Sequence, residues 1–360
     1  MKAAVLHEIN KPLVIEDVQH GDPGPREVLV RTVAAGVCHS DLHFQDGSYP
    51  YMLPVVLGHE SAGIVEAVGR DVSYVKPGDH VITCLSAFCG HCEYCITGHM
   101  SLCEEPELQR GMDQPPRLAQ GDKPVAQFLN LSSFAEYMLV HEHAIAKIRE
   151  DMPLDRAALI GCGVTTGVGA VIHTAKVEPG STVAVIGCGG VGLSCINGAA
   201  IAGAARIIAI DTVPSKLELA RKFGATDVIN AKDDDPVMAV MALTSGGVHY
   251  SFEAIGLKVT TEQSFKMLRR GGTATVIGMI PVGTHIELHG PEFLMERKLQ
   301  GSRMGSNHFR VDMPRFVDLY LQGRLHLDDL ISRRIKLEDV NDGMAALKTG
   351  EVARSVIMFD

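Results

Sequence analysis

The run from Val183 to Ala205 limits what this chain can fold into more than any other stretch. It holds 23 residues without a charge, enough by length alone to cross a bilayer. Six glycines, Gly187, Gly189, Gly190, Gly192, Gly198 and Gly203, interrupt it. A strand, a tight turn and a helix buried in an α/β core account for the same apolarity, so no membrane span is expected.

The order of residues inside the run supports the core reading. The apolar strand Thr182 to Ile186 leads into Gly187-Cys-Gly189-Gly190-Val191-Gly192, and a helix-like segment continues through Ala202. Alone, G-x-G-x-x-G is a weak pattern. Here a strand precedes it, a helix follows it, and a second strand, Arg206 to Asp211, ends on an acid 24 residues after Gly187. Such glycines let backbone amides approach a pyrophosphate at a helix N-terminus. Asp211 would accept both adenosine ribose hydroxyls and repel a 2′-phosphate, which predicts NAD rather than NADP; Lys216 lies near enough to bind the ribose region. Two more strands, His249 to Ile255 and Thr273 to Met279, alternate with helical segments at Ser215 to Phe223 and Thr260 to Leu268. Together they predict a doubly wound parallel sheet.

The chain has 360 residues, more than one hydrophobic core usually organises, so a second domain is expected. The first 150 residues supply it. Short β-prone runs at Glu27 to Val33, Gly63 to Val68 and His80 to Thr83 are separated by Pro/Gly turns at 22–25 and 76–79, a spacing that suits a compact antiparallel barrel or sandwich with long loops. The tail is mixed, with helical patterns at Met313 to Gln322 and Leu337 to Lys348 and a final run from Ala353 to Phe359.

Nine cysteines exclude a fully paired disulfide framework by parity, and metal is the better explanation. Cys89, Cys92, Cys95 and Cys103 fall within fifteen residues. Two-residue gaps let one loop turn its sulfurs around a single tetrahedral zinc, a closed and therefore structural site. The competitor is an iron–sulfur cluster, whose runs continue with a cysteine after three residues and a proline, absent here. Elsewhere, Cys38-His39-Ser40-Asp41-Leu42-His43, Gly58-His59-Glu60 and Gly161-Cys162-Gly163 are individually weak. Two thiolates and one imidazole with a free fourth position would make an open zinc site suited to catalysis.

With these motifs in this order, the chain resembles the zinc-dependent alcohol dehydrogenase family of the medium-chain dehydrogenase/reductase superfamily, class I and class III-like. The resemblance implies an α/β plus β fold: a GroES-like β-rich catalytic domain over 1–163 and 304–360, carrying both zinc sites, and a Rossmann NAD-binding domain over 164–303. It implies Cys38, His59 and Cys162 as catalytic zinc ligands. Asp41 would then fix the His59 tautomer, and Glu60 would lie behind the metal, with a structural carboxylate as its plainer role. Zinc would favour deprotonation of the alcohol as a Lewis acid. Ser40 would take the proton and pass it through the cofactor ribose to His43. Around the cofactor the resemblance places His39 and Arg354 near the pyrophosphate and Thr166, Val191 and Ile277 around the nicotinamide.

The implied activity is reversible hydride transfer between NAD and a primary alcohol or aldehyde, bulky or aromatic to suit an apolar lining of Leu85, Phe128, Leu129 and Met279. Three alternatives stay open. One is a formaldehyde-detoxifying enzyme acting on an S-hydroxymethyl thiol, with Arg110 and Arg117 holding a polar carrier unless they are ordinary solvated charges. Another is a nicotinoprotein with non-exchanging NAD, and the last is a binding protein without turnover. A formal net charge of -10 without a dense basic face argues against nucleic acid. Charges within the first eight residues do not suit a signal peptide, so the cytoplasm is expected. A homodimer is expected over a tetramer, because the 24 residues between Cys103 and Phe128 resemble the longer loop of dimeric relatives.

Overall fold

Glu27–Val37 reads EVLVRTVAAGV, a run of β-branched and small residues that packs well on a pleated surface. It forms an 11-residue strand buried along nearly its whole length, as a central strand must be. Around it the computed structural model, which describes residues 1–111, 113–349 and 353–360, builds the first of two units. This unit comprises Met1–Cys162, His308–Gly323 and Leu327–Asp360. In its seven-stranded sheet the long strand pairs with Ser61–Val68, Tyr137–His141 and Arg354–Met358. A six-stranded sheet contains Lys2–Leu6, Val55–Val56 and Lys123–Gln127.

The pairing is mostly antiparallel, as the turn spacing predicts. Two parallel pairs depart from that expectation: Val55–Val56 with Lys123–Gln127, and Ile331–Ile335 with Arg354–Met358. The first joins Val55 to Ala126 across the chain and the second is bridged by the helix Val340–Thr349, so neither follows from turn spacing. One apolar core gathers Leu6, Val37, Leu42, Leu57, Phe128, Phe134 and Val340. The C-terminal strand thus pairs with the first unit's central strand, in the register Ser355 to Val37.

The second unit comprises Gly163–Asn307 and Arg324–His326; Gly163, 304–307 and 324–326 fall here, where the sequence places them in the other domain. Its six strands are all parallel, in the order Asp227–Asn230, Arg206–Asp211, Thr182–Ile186, Val248–Glu253, Leu268–Val276, Lys298–Gly301. This is the doubly wound order with its switch beside the first strand. Four of the six strands are legible in the sequence, although the third and fourth lie a few residues earlier than predicted. The other two, DVIN and KLQG, are short and polar.

Val183 to Ala205 resolves into the strand Thr182–Ile186 and the helix Gly190–Ile201. That helix is buried on nearly every face, so it is apolar all round rather than amphipathic. Among the described residues one helical run, Leu154–Thr174, is long and apolar enough to cross a membrane. With 83% of its apolar window buried within the protein, it is accounted for as a core helix.

Candidate active site and metal centres

The helix His39–Gln45 starts where the long central strand ends, and Asp41 locks that junction. One oxygen of its fully buried carboxylate accepts the Cys38 N–H at 3.0 Å. The other accepts the Gly58 N–H at 3.2 Å and the His59 Nδ1–H at 3.0 Å. One carboxylate therefore ties two separate segments together and sets the imidazole tautomer. Gly58 must be glycine: its φ is +91°, and a Cβ would meet the Phe134 nitrogen at 2.6 Å. Cys162 arrives from a π-helical turn, Ile160–Val164, a distortion common at functional sites.

The Cys38, His59 and Cys162 ligand atoms lie within 4.8 Å of one another, and all three residues are buried. With Nδ1–H donated to Asp41, His59 Nε2 carries a lone pair, and this buried atom has no hydrogen-bond partner. Buried polar atoms are rarely left so. An orphaned imidazole nitrogen facing two thiols is the donor set of a divalent zinc site, so the residues fit the metal. The Cys38 thiol is held well below its ordinary range, first by the Cys162 thiol and then, against the cost of burial, by Arg354 and His59.

Arg354 and Glu60 form a pair behind this site. The guanidinium Nε lies 3.2 Å from Glu60 Oε1, with side chains 5% and 0% exposed. Removing either partner would strand a buried charge, at about 3–5 kcal/mol. Arg354 Nη2 also donates to Cys38 Sγ at 3.5 Å, a contact that no local sequence pattern signals. Ser40 Oγ lies 3.7 Å from the same sulfur. Ser40 and His43 share the helix three residues apart, both half-buried, whereas His39 is exposed.

Phe128 is fully buried, so it supports the site rather than presenting an open wall. Its ring meets His59 edge-on at 5.8 Å, Phe44 at 4.7 Å and Tyr51 at 5.2 Å between centroids. The Tyr51 hydroxyl donates to the Gln127 carbonyl and accepts the Leu129 N–H. Sequence reasoning missed Phe44 and Tyr51; their only prior signal was a local density of aromatics. Leu85 and Leu129 are half-buried, as is Met279 in the other unit.

Cys89, Cys92, Cys95 and Cys103 bring four sulfurs within 4.8 Å. Their support is local backbone: the His91 and Cys92 N–H groups donate to Cys89 Sγ at 3.4 and 3.3 Å, and the Cys89 N–H donates to Cys103 Sγ at 3.3 Å. Although burial opposes the charge, those amides bring the Cys89 thiol down to about 7. Four sulfurs with no oxygen or nitrogen donor among them fit a closed zinc site.

Arg110 and Arg117 need correcting. Arg117 is buried, donating to Glu27 Oε1 at 2.7 Å and to the Leu108 carbonyl at 2.8 Å. Arg110 pairs with the same carboxylate. Neither is a solvated surface charge, and with its donors spent on Glu27 and carbonyls neither is free for a carrier.

In the second unit, Gly189 precedes the helix Gly190–Ile201 and no side chain caps that N-terminus. Gly192 cannot carry a side chain, since a Cβ would lie 1.7 Å from the Gly187 carbonyl oxygen, while Gly189 faces open space. Uncapped amides beside that space fit a pyrophosphate. Asp211 sits at the end of its strand and accepts the Cys188 N–H at 2.8 Å and the Thr212 and Val213 N–H groups at 2.7 and 3.0 Å. A carboxylate offers about four lone-pair sites, so these three bonds leave one for a ribose hydroxyl. Lys216, Val191 and Ile277 are half-buried, and the Thr166 hydroxyl points to Met304 Sδ at 3.3 Å.

Comparison with known proteins agrees with both units. Residues 24–150 match the alcohol dehydrogenase GroES-like domain, and residues 190–322 match the zinc-binding dehydrogenase domain. The class-3 alcohol dehydrogenase of Zea mays is 40% identical over 99% of this chain and 96% of its own. A Burkholderia ambifaria alcohol dehydrogenase zinc-binding domain protein superposes with a TM-score of 0.95 at 38% identity, covering 100% of this chain and 98% of that one. Benzyl alcohol dehydrogenase from Acinetobacter calcoaceticus gives 0.94 at 34% identity, covering 100% and 99%. The chain belongs to the zinc-dependent alcohol dehydrogenases of the medium-chain superfamily, and it is an NAD-dependent oxidoreductase of alcohols and aldehydes.

Proposed function

We propose that this enzyme oxidises bulky primary alcohols, aromatic ones foremost, with exchangeable NAD, and reduces the matching aldehydes. The observation that carries this is the half-buried pair Phe44 and Tyr51, whose rings pack edge-on against buried Phe128, itself edge-on to His59. Aromatic frames favour edge-to-face packing of a further ring. The name of the Acinetobacter relative supports the same class.

Cys38, His59 and Cys162 would hold the catalytic zinc, which supplies Lewis-acid polarisation of the substrate oxygen. Asp41 keeps the His59 ring oriented through Nδ1. Ser40 Oγ accepts the hydroxyl proton, and His43, with partial solvent access, releases it. Glu60 holds Arg354 in place behind the ligands. Gly187, Gly189, Gly190 and Gly192 receive the pyrophosphate together with His39; Asp211 and Lys216 take the adenosine ribose; Thr166, Val191 and Ile277 flank the nicotinamide. Cys89, Cys92, Cys95 and Cys103 hold the structural zinc. In this reading 1–163 with 304–360 is the catalytic domain and 164–303 the NAD-binding domain.

We further propose a homodimer. Lys298–Gly301 is an edge strand, preceded by exposed Phe293, Leu294 and Met295, and an edge pairing with its two-fold copy would cover both. The cytoplasm suits six cysteines that must stay reduced to bind metal.

The test is a kcat/KM screen over aliphatic, aromatic and thiol-adduct alcohols, with NAD at stoichiometric and catalytic levels. Burying a ring is worth about 1.5–3 kcal/mol, so benzyl-type alcohols should exceed ethanol by about tenfold or more. A preference for the S-hydroxymethyl thiol would replace this reading. Turnover without added NAD, using an external carrier, would make the enzyme a nicotinoprotein.

A further inference from the structure

The two sulfurs of the buried site have unequal surroundings. Cys38 Sγ receives the Arg354 Nη2–H at 3.5 Å, and Ser40 Oγ lies 3.7 Å from it. Among the described residues no comparable N–H donor is found on Cys162 Sγ. Arg354 is held there from two sides. Its strand pairs with the central strand one residue before Cys38, Ser355 opposite Val37, and Glu60 Oε1 lies 3.2 Å from its Nε. The Arg354 side chain is buried, so its charge is little screened by water.

We infer that Arg354 is a positioning residue for the catalytic metal: by donating an N–H to Cys38 Sγ it withdraws charge from that thiolate and keeps the metal electrophilic. Two thiolates neutralise the formal charge of a divalent ion, which weakens it as a Lewis acid. A charge-assisted hydrogen bond to one sulfur returns part of that charge. Glu60 fixes the guanidinium so that one N–H faces sulfur. This role lies behind the ligands and is separate from any contact Arg354 makes with the cofactor. It rests on the proposed ligand set Cys38, His59 and Cys162.

The test replaces zinc by cobalt(II) at this site alone, leaving zinc in the four-cysteine site, and records the sulfur-to-cobalt charge-transfer band without substrate or cofactor. Losing the N–H should raise the sulfur electrons in energy. Arg354→Met should therefore shift the band to longer wavelength, with Arg354→Lys, which keeps a donor, in between. If Arg354→Met fails to fold, Arg354→Lys carries the same prediction with a smaller shift. A cobalt-loaded, folded variant absorbing at the wild-type wavelength would overturn the role of Arg354. A wild-type protein that binds cobalt with no such band would overturn the ligand set itself.

Discussion

Cys89, Cys92, Cys95 and Cys103 come from one loop fifteen residues long, whereas 124 positions separate Cys38 from Cys162. The loop sulfurs are served by amides of their own loop, at His91, Cys92 and Cys89. The buried site relies on side chains brought from elsewhere: Asp41 on the His59 ring and Arg354 on the Cys38 sulfur. A loop that supplies its own ligands and donors completes a shell by itself and leaves no place for substrate. A site assembled from a helix start, a strand start and a π-turn offers three donors, and in the proposed reading it keeps a fourth position for substrate and is adjusted by residues behind the ligands. The difference separates a metal that holds structure from one that does chemistry.

The strongest way to break this contrast is to remove one ligand from each site. Cys162→Ala should lose alcohol oxidation by about three orders of magnitude or more, while the circular dichroism and melting profile stay near wild type. Cys103→Ser should do the converse, lowering thermal stability and metal retention, with folded enzyme keeping most of its kcat. Equal loss of activity in both variants would erase the distinction.

Asp41→Ala comes next. It frees the His59 ring and the backbones of Cys38 and Gly58 together, so zinc affinity at the buried site should fall about 10- to 100-fold. Chelator competition measures this, with the loop site as internal control. Affinity unchanged within twofold would remove Asp41 from the site.

His43→Gln should slow turnover by about tenfold or more, chiefly below neutral pH, with partial rescue by added base. A pH profile parallel to wild type would take His43 out of the proton path.

The smallest effect concerns the loop site and acid. Cys89 is brought down to about 7 in the metal-free protein. Above that pH the thiolate is present and zinc rebinding after chelation meets no proton competition from it; below that pH protons compete, so apparent affinity should fall as pH drops from 7 towards 6. Rebinding that is flat across this range would contradict the amide stabilisation of Cys89.

What the sequence reveals follows the same division. The four-cysteine loop and the glycine turn at Gly187–Gly192 are legible because consecutive residues determine their geometry. Cys38, His59 and Cys162 become a set only when considered together. The Arg354 contact with Cys38 spans 316 residues and depends on the pairing of the C-terminal strand, which no local pattern encodes. The burial of Arg117 against Glu27 is likewise a tertiary event, and in sequence the residue resembles a surface charge. The aromatic frame joins Phe44 and Tyr51 to Phe128 across more than seventy positions.

Metal analysis of wild type beside Cys162→Ala tests the two-site account most directly. It predicts two zincs per chain in the wild type and one in the variant, with an all-sulfur shell around the zinc that remains by X-ray absorption. One zinc in the wild type, a variant that keeps both, or a brown protein with stoichiometric iron and sulfide would contradict it.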